Sequence, residues 1–180
     1  TSYAPAMRIA TWNVNSVNAR LETVLAWLDE ARPDVACFQE IKCVDEKFPA
    51  EPFESRGYNL VVHGQKSYNG VALLSKYPLK DVRRGLPGDD TDEQARYLEA
   101  LVEAETPVRV AAIYLPNGNP VGTEKFAFKL RWFERLQAHA RDLLKLEERL
   151  ALCGDYNVIP EPVDARNPEA WRGDALFQPE

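Results

Sequence analysis

Acidic and amide side chains in this chain follow short runs of mostly apolar residues. Asn13 and Glu40 each come directly after such a run, and a third run leads into Asp155 and Asn157. Short apolar runs of this kind are typical of strands that lie buried in a sheet. Loops at strand ends often carry chemistry because a rigid scaffold aims their side chains. Carboxylate and amide oxygens suit a hard cation such as Mg²⁺, so the sequence predicts a magnesium site at the ends of three strands.

The elements that would position these side chains include both strands and helices. Predicted strands lie at 7–12, 33–40, 58–62, 71–74, 97–103, 108–114 and 150–157, and predicted helices at about 16–32 and 123–146. Strands that follow one another without a helix form antiparallel pairs, and flanking helices cover sheet faces. We therefore expect mixed sheets in a chain of the α/β (α+β) class. Residues 166–171 are expected to form a loop and a short helix, and residues 175–177 resemble the start of another helix.

Composition indicates a single globular domain. The chain has 180 residues, of which 45% are hydrophobic, so it can bury a core. We expect an N-terminal extension over residues 1–6 and one domain over residues 7–180. No apolar stretch is long enough for a membrane span and no signal peptide is evident, so a cytoplasmic location is expected. Three cysteines without a CxxC motif indicate reduced, structural thiols.

Charge narrows the class of function. A net charge of −6 argues against a simple nucleic-acid-binding module, which usually has a basic surplus. It does not exclude a metal-dependent nuclease, because a bound cation supplies local positive charge. Basic residues nevertheless form two clusters, which are Lys76, Lys80, Arg83 and Arg84, and Lys125, Lys129, Arg131 and Arg135. Each cluster could contact a nucleic acid or form a solvated face, and the sequence leaves both interpretations open.

Seven short motifs occur along the chain in a fixed order. They are TWNVN at 11–15, FQEIK at 38–42, HGQK at 63–66, GVALLS at 70–75, QAR at 94–96, YLPNG at 114–118 and GDYN at 154–157. In this order they resemble exonuclease III-type apurinic/apyrimidinic endonucleases of the endonuclease/exonuclease/phosphatase superfamily. One motif alone would be weak evidence, whereas seven in register are specific. The resemblance implies a four-layer α-β-β-α sandwich with mixed sheets, of which this chain would form an incomplete, N-terminal part.

The resemblance also implies an activity and a partner. Enzymes of this type cleave the phosphodiester bond on the 5′ side of an abasic site, using Mg²⁺ or Mn²⁺, and many also remove 3′ nucleotides or 3′ blocking groups. We therefore expect a monomeric DNA-repair enzyme that acts on double-stranded DNA at abasic sites or 3′ ends and does not bind membranes. Two alternatives stay open: another phosphodiesterase or phosphatase of the same superfamily, and a catalytically inactive, truncated DNA-binding module.

The resemblance assigns a role to each side chain at the strand ends. Glu40 matches the principal magnesium ligand, and Asp155 matches the carboxylate that accepts a proton from water or helps to place the metal. Asn157 matches a neighbour that holds the metal or the phosphoryl oxygens. Asn13 matches an amide that orients Asp155 or the metal-bound water, and Tyr114 matches a tyrosine whose hydroxyl meets the phosphate. On local sequence alone, these residues could instead be strand-end, turn or core residues.

The remaining matches lie farther from the predicted metal. Arg96 and Asn117 match positions that touch the DNA backbone, while Lys129 could be a DNA contact or a solvated residue. His63 and His139 match no catalytic residue and are expected to be structural or exposed. The catalytic histidine of the family and its aspartate partner find no match here. We therefore expect that the closing segment is absent and that the 180 residues alone are inactive and prone to associate.

Overall fold

The computed structural model describes residues 6–180, so residues 1–5 of the predicted extension lie outside the described residues. The strands are β1 Ile9–Asn13, β2 Val35–Gln39, β3 Asn59–His63, β4 Val71–Ser75, β5 Leu79–Arg84, β6 Tyr97–Val102, β7 Val108–Tyr114 and β8 Arg149–Asp155. The α-helices are α1 Leu21–Ala31, α2 Ala50–Glu54 and α3 Glu124–Leu144. Short 3₁₀ turns lie at Asp45–Lys47, Pro162–Asp164 and Pro168–Trp171, the last of which confirms the short helix predicted within 166–171.

The strands form two four-stranded sheets with the orders β1-β2-β4-β3 and β5-β6-β7-β8. In the first sheet β1 pairs with β2 in parallel, and in the second β7 pairs with β8 in parallel. The other pairings, β2 with β4, β3 with β4, β5 with β6 and β6 with β7, are antiparallel. Both sheets are therefore mixed, as the sequence predicts. Parallel pairing aligns the carboxyl ends of β1 and β2, and likewise those of β7 and β8.

Packing produces four layers. The two sheets face each other across a core of alternate strand residues, which are Val35, Cys37, Val71, Leu73, Leu98, Ala100, Val102, Val110 and Ala112. This spacing of two residues is the side-chain period of a strand that buries one face. Leu28 of α1 and Phe53 of α2 cover the outer face of the first sheet, while Trp132 of α3 covers that of the second. The predicted α-β-β-α sandwich is confirmed.

Strand β5 was not predicted, because it lacks the apolar run that marks the other strands. Only Leu79 is partly buried, and the five residues that follow it are exposed. In the second sheet β5 lies at the edge and pairs with β6. Charged side chains on an edge strand discourage pairing with other chains. The basic residues Lys80 and Arg83 are exposed and form ion pairs with Glu103 and Glu99, at 2.7 and 3.6 Å, which favours the interpretation of this cluster as a solvated face.

One helix boundary and one helix start were predicted wrongly. The first helix begins at Leu21 rather than near residue 16, because Ser16 has a φ of 81° and cannot continue a right-handed helix. Residues 175–177 form turns rather than the start of a helix. Asp174 accepts a hydrogen bond from the Leu176 amide at 2.8 Å, which closes a local turn. Helix α2 was not predicted; it has only five residues and contains Pro52.

His139 is structural, as predicted. It is buried on α3, and its Nε2 lies 2.5 Å from Oε1 of Glu99, a carboxylate that is 1% exposed. Glu99 also accepts hydrogen bonds from the Tyr97 hydroxyl at 3.0 Å and from Arg109 at 3.3 Å. The three cysteines are free thiols, as predicted. None of the helices within residues 6–180 has the length and apolarity needed to cross a membrane.

Candidate active site

The predicted site residues meet at one end of the sandwich. Asn13 ends β1 in the first sheet, opposite the last residue of β2, and Glu40 directly follows β2. In the second sheet Tyr114 and Asp155 end β7 and β8 and lie opposite each other in the parallel register. Because β1 also packs against β8, the carboxyl ends of both parallel pairs are neighbours. The fold thus brings together four side chains that are far apart in the sequence.

Two hydrogen bonds join the sheets at this point. The Tyr114 hydroxyl of the second sheet donates to Oε1 of Glu40. In the opposite direction, Nδ2 of Asn13 donates to Oδ2 of Asp155 at 3.0 Å. Each bond links a residue of one sheet to a carboxylate of the other. The two carboxylates are therefore held in fixed positions relative to each other by groups that belong to different layers of the fold.

Glu40 lies on an unusual stretch of backbone. Its φ is 52° and that of Lys42 is 55°, which is the left-handed region that residues other than glycine seldom adopt. Such conformations collect at functional sites, where the surrounding structure must hold them. Here the Ser16 amide donates to the Glu40 carbonyl at 2.8 Å. Gly70 packs beneath the turn, where an added Cβ would lie 2.4 Å from Cγ1 of Ile41, so only glycine fits.

Glu40 is ionised at neutral pH. Burial on its own would raise the pKa of this carboxyl, but the Tyr114 hydrogen bond, the Lys42 charge and the Asn13 amide together lower the pKa below its ordinary value. Nζ of Lys42 lies 3.4 Å from Oε2 of Glu40 and donates to Oδ1 of Asn15 at 2.6 Å. Lys42 was not predicted to be a site residue. Its position two residues after Glu40, inside the FQEIK motif, could have identified it as a site residue.

Asp155 is oriented through both of its carboxylate oxygens. Oδ2 accepts from Asn13, and Oδ1 accepts from the backbone amide of Asn157 at 3.0 Å. The preceding residue, Gly154, lies so close to β7 that an added Cβ would be 1.9 Å from the Ile113 carbonyl oxygen. Glycine is therefore required for β8 to approach β7 at the point where Asp155 leaves the sheet. The lone pairs that remain on the carboxylate are available to a water molecule or a cation.

Asn157 lies in a turn rather than in the strand that was predicted over residues 150–157. Its φ is 48°, and its amide bonds to the Asp155 side chain, so the spacing of two residues reflects a turn closed by an aspartate side chain. The turn nevertheless keeps Asn157 at the site. Its Nδ2 donates to the Leu115 carbonyl at 2.7 Å, so Oδ1 is the atom that could serve a cation.

Tyr114 remains protonated, because its burial and then its hydrogen bond to Glu40 raise the pKa of the phenol well above its ordinary value. The hydroxyl is therefore a hydrogen-bond donor in the neutral pH range. Arg96 packs on this residue, with its guanidinium 4.9 Å from the centroid of the Tyr114 ring and Nη1 3.3 Å from the Tyr114 carbonyl oxygen. A guanidinium at this distance makes a favourable cation–π contact. The structure therefore places Arg96 beside Tyr114, within the candidate site.

Asn117 and Lys129 lie at the margin of the site. Asn117 is exposed in the loop after β7, where its Oδ1 accepts from the side chain of Asn119 at 2.7 Å. This places Asn117 on the rim, and its contact with DNA stays a prediction. Lys129 is neither solvated nor positioned to contact DNA, so both interpretations offered by the sequence were wrong. Its ammonium is buried and donates to backbone carbonyls.

The donor set fits a hard cation. Within residues 6–180 no three His, Cys, Asp or Glu side chains come together in the way that a zinc site requires. The site instead offers the carboxylates of Glu40 and Asp155 and the amide oxygen of Asn157. Mg²⁺ is commonly bound by one or two carboxylates, with waters and substrate phosphates completing its octahedral shell. These residues therefore suit a cation that is shared with a phosphate.

Two oriented carboxylates and a protonated tyrosine at one end of an α-β-β-α sandwich are compatible with enzymes of the phosphodiesterase type. Comparison with known proteins agrees with this class: the model of the Endonuclease/Exonuclease/phosphatase family matches residues 10–179. The chain belongs to this family. The predicted resemblance and the predicted fold are both confirmed.

Individual relatives show which members of this family the chain resembles. The chain is 35% identical over 182 residues to exodeoxyribonuclease III of Haemophilus influenzae, covering 97% of this chain and 68% of the relative. Among solved structures, an AP endonuclease from Archaeoglobus fulgidus superposes with a TM-score of 0.89 at 37% identity, covering 97% of this chain and 66% of that one. The 3′ phosphatase NExo from Neisseria, bound to a product DNA hairpin, superposes with a TM-score of 0.88 at 38% identity, covering 96% and 66%. The chain thus spans about two thirds of the length of these relatives.

Proposed function

We propose that this protein is a magnesium-dependent DNA-repair phosphodiesterase that cleaves duplex DNA on the 5′ side of abasic sites. Removal of nucleotides or blocking groups from 3′ ends is included in the proposal. The observation that carries it is the pair of hydrogen bonds between the sheets, Tyr114 to Glu40 and Asn13 to Asp155. They assemble an ionised carboxylate, a second oriented carboxylate and a phenol donor within one site. The names of the relatives, an exodeoxyribonuclease, an AP endonuclease and a 3′ phosphatase, support this choice of substrate.

In this proposal Glu40 and Oδ1 of Asn157 would hold Mg²⁺, with Mn²⁺ as a possible substitute. When bound, the cation would polarise the scissile phosphate and offset the negative charge that develops on it. Asp155 would accept a proton from the attacking water, since its carboxylate is fixed by two hydrogen bonds and lies where a phosphate could approach. Asn13 would keep that carboxylate in its orientation. Most of the rate enhancement would come from positioning and electrostatic stabilisation.

Three further residues would bind the substrate. On substrate binding Tyr114 would turn its single hydroxyl proton from Glu40 to a phosphate oxygen, and the raised pKa of the phenol keeps that proton in place. Arg96, stacked on the Tyr114 ring, would add positive charge beside the same phosphate. Asn117, exposed on the rim, would contact the DNA backbone farther along the strand. The chain carries an overall negative charge, so these local donors and the cation would offset the repulsion of DNA.

A duplex with one tetrahydrofuran abasic site tests the proposed function. The protein encoded by the complete reading frame is incubated with this duplex, with and without Mg²⁺, and the products are resolved by electrophoresis. We expect one cut on the 5′ side of the lesion that leaves a 3′ hydroxyl and is abolished by a chelator, while a matched undamaged duplex is not cut internally. Activity on inositol phosphates without any incision of DNA would instead favour another member of the superfamily.

Removal of the Tyr114 hydroxyl should slow the reaction without unfolding the protein. In Tyr114→Phe the ring stays packed against Arg96, but the donor to the phosphate is lost, and loss of one such donor lowers turnover by about a hundredfold. The matched control is Tyr77→Phe, at the opposite end of the sheets, which should keep the original rate. Turnover of the abasic duplex and thermal unfolding by circular dichroism give the two readings. An active Tyr114→Phe variant would remove the hydroxyl from the mechanism.

A further inference from the structure

A buried ammonium group lies between the loops of the candidate site. Lys129 of α3 is 2% exposed, and its Nζ donates to the carbonyl oxygens of Asn117, Asn157 and Ala175 at 3.1, 2.7 and 2.9 Å. These acceptors belong to three separate segments: the loop after β7, the loop after β8 and the segment that follows the last 3₁₀ turn. One side chain therefore fastens together three pieces of backbone around the site.

The position of Lys129 is costly unless its charge is fully satisfied. Burial lowers the pKa of the ammonium group, while the charges of Asp174 and Asp155 partly oppose this effect. An ammonium group has three N–H donors, and each carbonyl takes one of them. A buried charge is tolerated when it is hydrogen-bonded in this way. The three carbonyls thus form a matched receptor for a primary ammonium ion.

The Lys129 contacts lead directly to Asp155. The carbonyl of Asn157 accepts from Lys129, and the amide of the same residue donates to Oδ1 of Asp155 at 3.0 Å. Asn157 has a φ of 48°, a conformation that its surroundings must maintain. Lys129 is therefore two hydrogen bonds away from the carboxylate that would activate water. The same residue, Asn157, also carries the side-chain amide that would help to hold the cation.

Gly118 shows how closely the loop after β7 fits the same side chain. An added Cβ at Gly118 would lie 2.6 Å from Cδ of Lys129, and the glycine has a φ of 82°. The loop can therefore close over the Lys129 stem only when residue 118 is glycine. Asn119 ties this loop to the third segment, since its Oδ1 accepts from the Ala175 amide at 2.8 Å. The stem thus packs against the loop after β7, and the ammonium group contacts both loops.

We propose that Lys129 is a positioning residue for the reaction, which sets the placement of Asn157 and, through it, of Asp155 and the bound cation. This inference rests on the proposed function for its kinetic consequences, but its effect on cation binding does not depend on the identity of the DNA substrate. In this role Lys129 would act through Asn157 and would not itself contact the phosphate or the reacting water.

The test removes the ammonium group by mutation and then supplies a primary ammonium ion in solution. Lys129→Ala and Lys129→Met are made in the complete gene product, with Lys145→Ala at the exposed end of α3 as the matched control. Mn²⁺ affinity is measured by electron paramagnetic resonance, and kcat and KM are measured on the abasic duplex. We expect about tenfold weaker Mn²⁺ binding in both variants, as for other residues that orient metal ligands. We also expect kcat to fall about a hundredfold with KM little changed.

Added n-propylammonium replaces the atoms that Lys129→Ala lacks, and we expect it to restore both Mn²⁺ affinity and kcat in this variant alone. Lys129→Met keeps the stem without the charge and should not respond. Wild-type Mn²⁺ affinity and kcat in a folded Lys129→Met variant would overturn the proposal, as would failure of both variants to fold. If the unaltered protein did not cut abasic DNA while Lys129→Met still weakened Mn²⁺ binding, the proposed function would fail and the positioning role would stand.

Discussion

Replacement of Glu40 by Gln is expected to lower abasic-site incision at limiting Mg²⁺ by about a hundredfold or more, because a ligand carboxylate provides several kcal/mol of charge stabilisation through its cation. The change keeps the size of the side chain and an oxygen that can accept from Tyr114, so the link between the sheets survives. It removes the negative charge and replaces Oε2, which lies 3.4 Å from Nζ of Lys42, by an amide nitrogen. The loss should therefore appear as a requirement for more Mg²⁺, with saturating Mg²⁺ restoring part of the rate.

The measurement is the initial rate of incision across a Mg²⁺ titration, with Mn²⁺ affinity as a reading that does not depend on catalysis. Glu22→Gln, an exposed change on α1, is the matched control and should leave both quantities unchanged. Equal rates for Glu40→Gln and the unaltered protein at every Mg²⁺ concentration would exclude Glu40 as a metal ligand.

Asp155→Asn is expected to lower turnover by about a thousandfold or more, because a general base of this kind contributes two to four orders of magnitude. Its Oδ1 can still accept from the Asn157 amide, so the turn at the end of β8 should persist. The other carboxylate oxygen becomes an amide nitrogen facing Nδ2 of Asn13, and that single hydrogen bond is lost. DNA binding should remain close to normal, since the change removes a base and no phosphate contact.

Turnover under single-turnover conditions and binding of labelled abasic duplex by fluorescence anisotropy separate these two effects. Circular dichroism shows whether the variant is folded. Asn13→Ala is a useful companion variant, because it removes the group that orients Asp155 but keeps the base, and it should be less impaired than Asp155→Asn. A folded Asp155→Asn variant that turns over at the original rate would require a different base.

Much of the fold was accessible from the sequence, because the residues that carry it repeat with a clear period. Strand β7, Val108–Tyr114, was predicted over the same residues, since its buried apolar run is bounded by turn residues. The charged edge strand β5 was missed because its side chains do not pack against a core. Residues 175–177 form turns, and their short apolar sequence does not distinguish a turn from the start of a helix.

The individual site residues could be predicted from the sequence, but their arrangement in space could not. Glu40 and Asp155 were identifiable because each ends an apolar strand, whereas the bonds from Tyr114 and Asn13 connect residues on different sheets. Such bonds depend on how the two sheets stack, and no local pattern records that arrangement. Lys129 illustrates the same limit, because a lysine on an amphipathic helix normally lies in solvent. Only the folded chain places three carbonyls around its ammonium group.

The two hydrogen bonds cross from one sheet to the other, so the relative positions of Glu40 and Asp155 depend on the separation between the sheets. Ala100 on β6 and Ala112 on β7 lie in the core between them and are fully buried. Protein cores are close-packed and transmit strain, so a larger residue at either position would move one sheet relative to the other. Substitutions in this core are thus expected to alter the chemistry at its end. Although Ala100 and Ala112 lie away from the site, their small size helps to set the distance between the sheets and thereby between the carboxylates of Glu40 and Asp155.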